Sequence, residues 1–409
     1  MTSPDTPVPG GTPAPGALCG IRVLDLTRIL SGPLATMVLA DLGADVVKVE
    51  DTKDGDDTRQ WGPPFQGGEA AYFLAANRNK RGVSVDLKSA RGREFVLRLA
   101  DRADVLVENF RPGTAARLGL GYEELSARNP RLVYASISGY GQTGPWASRP
   151  GYDAIAQALR GMMSITGEAG GAPVRPGVAT ADIGAGMWAV IGILAALHAR
   201  EVTGRGQHVD VSLLDGQLAW LTYVAGGYFA TGTVPGPHGS AHPTIVPYQA
   251  LTTADGHLLV AAGNDRLWRR FAEVLGQPAL ADDPRFVTNP DRVRHRDALI
   301  PLLEAALARR SSAEWAEALE AAGVPCAPIS TVDEALDSPQ ARARGMVTTL
   351  PHPTAGELRT LGSPLKLSAT PTRIRTAPPL LGQHTDDVLA EAGYSAREIE
   401  ELHAIGAVR

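Results

Sequence analysis

The chain has only two cysteines, Cys19 and Cys326, among 409 residues. That excludes a disulfide framework and a cysteine-based metal site, and it makes a reducing cytoplasm the simplest compartment. Aromatic residues make up 5% of the chain and no basic cluster accompanies them, so a base-stacking platform for nucleic acid is not expected. A net charge of −5 gives no electrostatic case for an anionic membrane surface either. The longest apolar run, Met187 to Leu197, is too short to span a bilayer. Residues 1–17 lack the basic start and apolar core of a secretory signal and read as a disordered lead-in. No segment repeats with a period of about 20 to 50 residues.

What is present is glycine, proline and an alternation of strand and helix patterns. G-I-R-V-L-D-L-T reads as a strand, and S-G-P-L-A-T-M-V-L-A-D-L-G as a helix with Pro33 in its first turn and Gly43 as its stop. A-D-V-V-K-V-E then reads as a second strand, which completes a βαβ unit. Further strands are expected at 84–87, 104–110 and 131–138, with helices at 90–102 and 114–118. The expected fold class is α/β: a doubly wound, Rossmann-like large domain over 18–225 and 346–409. A smaller α+β domain is expected over 226–345. There a hairpin should turn at Ala254-Asp255-Gly256, followed by helices at 265–276, 294–309 and 312–322.

Most catalytic signatures fail. There is no P-loop, no G-x-S-x-G elbow and no H-E-x-x-H. Gly139-Tyr140-Gly141-Gln142-Thr143-Gly144 matches a dinucleotide fingerprint, but Pro145-Trp146 follows where a helix should open. A glycine turn is the better reading, and a nucleotide-binding oxidoreductase module is left as a remote alternative. His238 and His242 have no carboxylate or cysteine close enough in sequence to suggest a metal site, so no metal is expected. Glu50 reads as a solvated strand end. Asp182 stands out. It lies between a Gly/Pro-rich approach and the apolar helix pattern that begins at Met187, so its carboxylate should sit at a helix N-terminus. On local sequence alone an ordinary N-cap is the plainer reading of that position, and a nucleophile the alternative.

The ordered motifs decide between them. G-I-R-V-L-D-L-T-R-I-L-S-G-P, N-R-N-K-R-G-V-S-V-D-L-K, A-D-V-L-V-E-N-F-R-P-G, G-Y-G-Q-T-G-P, D-I-G-A-G-M, T-G-R-G-Q-H-V-D-V-S-L-L-D and L-G-Q-H-T-D recur in this order. Over about residues 20 to 400 the chain resembles the family III CoA-transferases, which include the α-methylacyl-CoA racemases. The resemblance implies that Asp182 is the nucleophile, working through a mixed anhydride and an aspartyl-CoA thioester. It implies an acyl-CoA thioester as co-substrate, no permanently bound cofactor, a carboxylic acid acceptor and an interlocked homodimer. It places Arg28, Ile29, Leu30, Val85, Lys88, Asn109, Phe110 and Arg117 along the CoA-binding channel. The racemase branch pairs its Asp with a His in a G-H-D motif. Here that motif is Gly151-Tyr152-Asp153, and a tyrosine is a poor base for an α-proton at neutral pH. Racemase or epimerase activity is therefore the alternative, and Tyr152 a substrate candidate or a core aromatic. Leu30 replaces a glutamine of the formyl-CoA branch, which puts formate–oxalate exchange in doubt. P-V-R-P-G-V-A and G-S-A-H-P-T-I-V-P-Y-Q-A resemble enzymes using succinyl-CoA and a dicarboxylate. Arg175 and His242 are the candidates for its second carboxylate, with loop bracing the plainer role for Arg175.

Overall fold

The computed structural model describes residues 15–151 and 153–409, so Tyr152 and most of the expected lead-in lie outside the described residues. Six strands form the central sheet: β1 (Arg22–Asp25), β2 (Asp45–Glu50), β3 (Lys80–Ser84), β4 (Val105–Glu108), β5 (Val133–Ser138) and β6 (His208–Ser212). They pair in the order β3-β2-β1-β4-β5-β6, every pair parallel. Such a sheet is covered on both faces, which explains its Val- and Leu-rich strands. Val23, Val46 and Val105 face one core with α1 (Ser31–Asp41) and α4 (Thr180–Thr203). Leu24, Val47 and Leu106 face a second core with α2 (Ala90–Ala100) and the C-terminal helices. The strand order reverses direction between β1 and β4, and in sheets of this kind the crevice at the carboxyl ends of those strands receives ligands.

One strand is displaced from its expected place. The strand expected at 84–87 runs instead over Lys80–Ser84, and Val85 makes only an isolated bridge to Val408. Two basic residues and a glycine argue against a buried strand by propensity. Burial wins because Lys80 is ion-paired at 3.1 Å to Asp25, and because Gly82 leaves space for Pro379, which an added Cβ would approach to 2.9 Å.

The chain divides into two compact units. Among the described residues, the first comprises 15–151, 153–160, 177–222 and 339–409; the second comprises 161–176 and 223–338. The second has its own core, in which Trp268, Phe271, Leu299 and Trp315 pack against a three-stranded antiparallel sheet. The hairpin of that sheet, β7 (Tyr248–Thr252) and β8 (His257–Ala261), turns at the expected Ala254-Asp255-Gly256.

Helix α4 is the spine of the first unit. Among the described residues it is the one helix long and apolar enough to cross a membrane, but half of its most apolar window is buried within the protein. Ala185, Ala189 and Ile193 lie in the core beside the sheet. A Cβ at Gly186 would come within 2.7 Å of the Ser31 carbonyl. That glycine lets the starts of α1 and α4 approach each other closely.

Candidate active site

Asp182 is the third residue of α4, not its cap; the residue in the cap position is Ala179, which makes no side-chain cap bond. A different carboxylate does that work. Asp153, the first residue of α3 (Asp153–Leu159), accepts from the backbone N–H of Ala181 at 2.9 Å and of Asp182 at 3.4 Å. Relieved of capping, the Asp182 side chain turns into a cavity of about 180 Å³ lined also by Ile29, Ser31, Asn109, Phe110 and Gly139. Burial, reinforced by the negative charge of Asp153, pushes the Asp182 carboxyl up to about 7 against the Ser31 hydroxyl and Arg160, which favour the anion. A poorly solvated carboxylate is a better nucleophile than one in water, and this one titrates near neutrality.

The facing wall is the start of α1. Leu30 precedes the helix without a side-chain cap bond, so the first-turn amides remain available to an anion at the positive end of the dipole. The approach to it, Thr27 to Leu30, is a strained turn. Ile29 has φ 71°, a left-handed conformation that a β-branched residue adopts only when its surroundings force it. Asn109 clamps the preceding residue, accepting from the Arg28 N–H at 2.9 Å and donating to its carbonyl at 2.7 Å. Asp56 accepts from the Ile29 N–H at 3.1 Å. Asp56 is in turn ion-paired at 2.9 Å to Lys48, whose ammonium also donates to the Thr27 carbonyl, and both charged side chains are wholly buried. Asp25 closes the other side of the turn, accepting from the Thr27 N–H and the hydroxyls of Thr27 and Thr36. Glu50 is no solvated strand end. It is buried, pairs with Arg59 at 2.7 Å and accepts from the Asp56 N–H.

The Gly139–Gly144 segment is a tight turn with no helix behind it. A Cβ on Gly139 would fall 2.7 Å from the Gly151 Cα, so two backbones cross here where no side chain fits. Gly141 has φ 86°, and its N–H is held by the Ser138 hydroxyl.

Of the eight residues expected along the CoA channel, Ile29, Asn109 and Phe110 line the cavity with Asp182. Arg28 and Leu30 flank it through the turn. Val85 is buried in the second core, a packing residue. Lys88 is exposed, and Arg117 is exposed and donates to the Thr114 hydroxyl at 2.8 Å. Arg175 and His242 belong to the second unit. Arg175 is exposed in its Gly/Pro segment. His242 is stacked between Tyr223 and Tyr248, and its Nδ1 accepts from the Thr244 N–H at 3.2 Å, which leaves the proton on Nε2. Sequence reasoning missed Ser31, Arg160 and the capping role of Asp153. Only the last left a trace, as an acid opening the helix pattern A-I-A-Q-A-L.

Residues 18–385 match the model of CoA-transferase family III. The chain belongs to that family. A succinyl-CoA:glutarate CoA-transferase of Mus musculus is 44% identical over 390 residues, covering 95% of this chain and 89% of the relative. A succinate–glutarate CoA-transferase of Agrobacterium fabrum is 44% identical, covering 91% and 95%. A crystal structure of a CAIB/BAIF family protein from Brucella suis superimposes with a TM-score of 0.83 at 43% identity, covering 92% of this chain and all of that one. This family III CoA-transferase thus carries a cavity at the switch point of the parallel sheet, with Asp182 on its wall.

Proposed function

We propose that this enzyme moves CoA from succinyl-CoA to a dicarboxylic acid through a covalent intermediate on Asp182. The observation that carries the reading is the buried carboxylate itself. It caps nothing, titrates near neutrality and faces the uncapped start of α1 across a cavity with room for the reacting end of an acyl-CoA. The ionised carboxylate attacks the thioester carbonyl, the carbon–sulfur bond breaks, and a mixed anhydride and CoA thiolate result. The thiolate attacks the aspartyl carbonyl, releasing the donor acid and leaving an aspartyl-CoA thioester. The acceptor carboxylate attacks that thioester, and the expelled thiolate takes the acceptor acyl group from the second anhydride. Asp182 is regenerated with no net gain or loss of water or protons. The oxyanions of these steps need oriented donors, which the first-turn amides of α1 and the Ser31 hydroxyl supply.

The relatives' names favour succinyl-CoA as donor and glutarate or a similar diacid as acceptor. We assign Arg28, Ile29, Leu30, Val85, Lys88, Asn109, Phe110 and Arg117 to CoA binding, Val85 through its backbone. Tyr152, Arg175 and His242 are assigned to the acceptor, where His242 Nε2 and the Arg175 guanidinium suit a second carboxylate. The working form is a cytoplasmic homodimer. Its support is apolar: Met187, Trp188 and Ile191 of α4 and Leu218 of α5 (Leu213–Trp220) stand exposed on the first unit.

The experiment crosses a panel of acyl-CoA donors with mono- and dicarboxylic acids, read by mass spectrometry. Succinyl-CoA with a five-carbon diacid should give the highest kcat/KM. Arg175→Ala should weaken diacids about tenfold more than monoacids of equal size. Equal turnover of monoacids and diacids would rule out the dicarboxylate reading.

A further inference from the structure

The most unusual charge in the first unit is Arg160. It directly follows α3, is 2% exposed, and has no carboxylate within ion-pair distance among the described residues. One of its nitrogens, Nη2, donates to the Gly139 carbonyl at 2.5 Å. The other two, Nε and Nη1, are buried without a hydrogen-bond partner among the described residues. Leaving a buried guanidinium so under-satisfied is costly, and a protein keeps such a group where its charge is used. The charged and titratable groups around it are Tyr140, Asp215, Asp153 and Asp182. The Tyr140 ring lies 5.4 Å from the guanidinium carbon. Asp215 comes from α5, Asp153 from α3 and Asp182 from α4, so three helix starts bring carboxylates to one cation.

We propose that Arg160 is a positioning residue of the transferase centre, a single buried cation that offsets the carboxylates meeting there. It does so in two ways. It fixes the Gly139 carbonyl, and Gly139 lines the catalytic cavity. Its field favours ionised Asp182 beside Asp153, and it does the same for an acceptor carboxylate arriving as a further negative charge. Without it, the nucleophile would be protonated over more of the neutral range. Burial lowers the Arg160 pKa only to about 10, so the cation persists at every pH at which Asp182 titrates.

The inference rests on Asp182 as the nucleophile, and its test separates the two claims. Single-turnover formation of the CoA adduct on Asp182 is followed by mass spectrometry against pH, with succinyl-CoA and no acceptor. No adduct in the parent enzyme would sink the nucleophile itself. Given an adduct, Arg160→Gln, which keeps a donor for the Gly139 carbonyl, should move the midpoint of its formation upward by roughly one pH unit. Arg160→Lys restores the charge and should return the midpoint to the parent value even if the rate stays low. A merely structural arginine would give lower melting temperatures and lower plateau rates in both variants with the midpoint unmoved, and that result overturns the proposal. Should Arg160→Gln not fold, Arg160→Met removes the charge while keeping a long side chain: a midpoint raised as expected for Gln supports the proposal, and an unmoved midpoint overturns it.

Discussion

At the scale of single residues the site depends on a division of labour between two aspartates. Asp182→Ala should lower turnover at least about 10³-fold, since the covalent route is lost, while stability changes by no more than about 1 kcal/mol. The alanine protein should show no CoA adduct on the peptide that held Asp182; an active, adduct-forming variant would unseat the nucleophile. The pH dependence has a definite sign. The acid form of Asp182 is inert and burial raises its pKa to about 7, so activity should fall as pH drops through about 7. Asp153→Asn removes a like charge and keeps an oxygen to accept from Ala181 and Asp182. The acid limb should therefore move to lower pH, by roughly one unit, in a kcat/KM profile. A limb that stays put, or moves to higher pH, would mean that Asp153 does not act on Asp182 through its charge.

At the scale of elements, the turn between β1 and α1 stores strain against a buried ionic clasp. The usual order of substitution should reverse there. Alanine is ordinarily more stabilising than glycine, but at φ 71° the Ile29→Gly protein should be the more stable of the two by about 1 kcal/mol in denaturant unfolding. Both should raise the KM for acyl-CoA, because the side chain lines the cavity. An alanine variant as stable as the glycine one would mean a relaxed turn. Much of this level was legible beforehand. The βαβ rhythm, the helix from Ser31 and the hairpin at Ala254-Asp255-Gly256 follow from local periodicity and turn chemistry. The strand Lys80–Ser84 was not legible, because what makes it a strand is an ion pair to Asp25 some 55 residues away. The start of α4 was misread for the same reason. Its cap comes from Asp153, and no local pattern announces a bond across 28 residues.

At the scale of the whole molecule, family membership adds what periodicity lacks. The motifs from G-I-R-V-L-D-L-T to L-G-Q-H-T-D identify the chemistry, yet they are silent on which buried charges brace the turn before α1 and stand near Asp182, as Lys48 and Arg160 do. The homodimer reading has its own test. Ile191 stands 54% exposed on α4, and Ile191→Glu would place a charge in the proposed contact. Sedimentation should find the parent protein as a dimer and the variant shifted toward monomer. A parent that sediments as a monomer at micromolar concentration would refute the assembly.

The borrowed cap of α4 has a consequence for the reaction cycle. In the proposed cycle Asp182 passes from anion to anhydride to thioester and back, so its charge disappears and returns. A nucleophile that also tethered its own helix would loosen that helix each time it was acylated. Here the tether stays with Asp153, which never carries the acyl group, and the first turn of α4 keeps its anionic partner throughout. The workpiece changes while the vice stays shut.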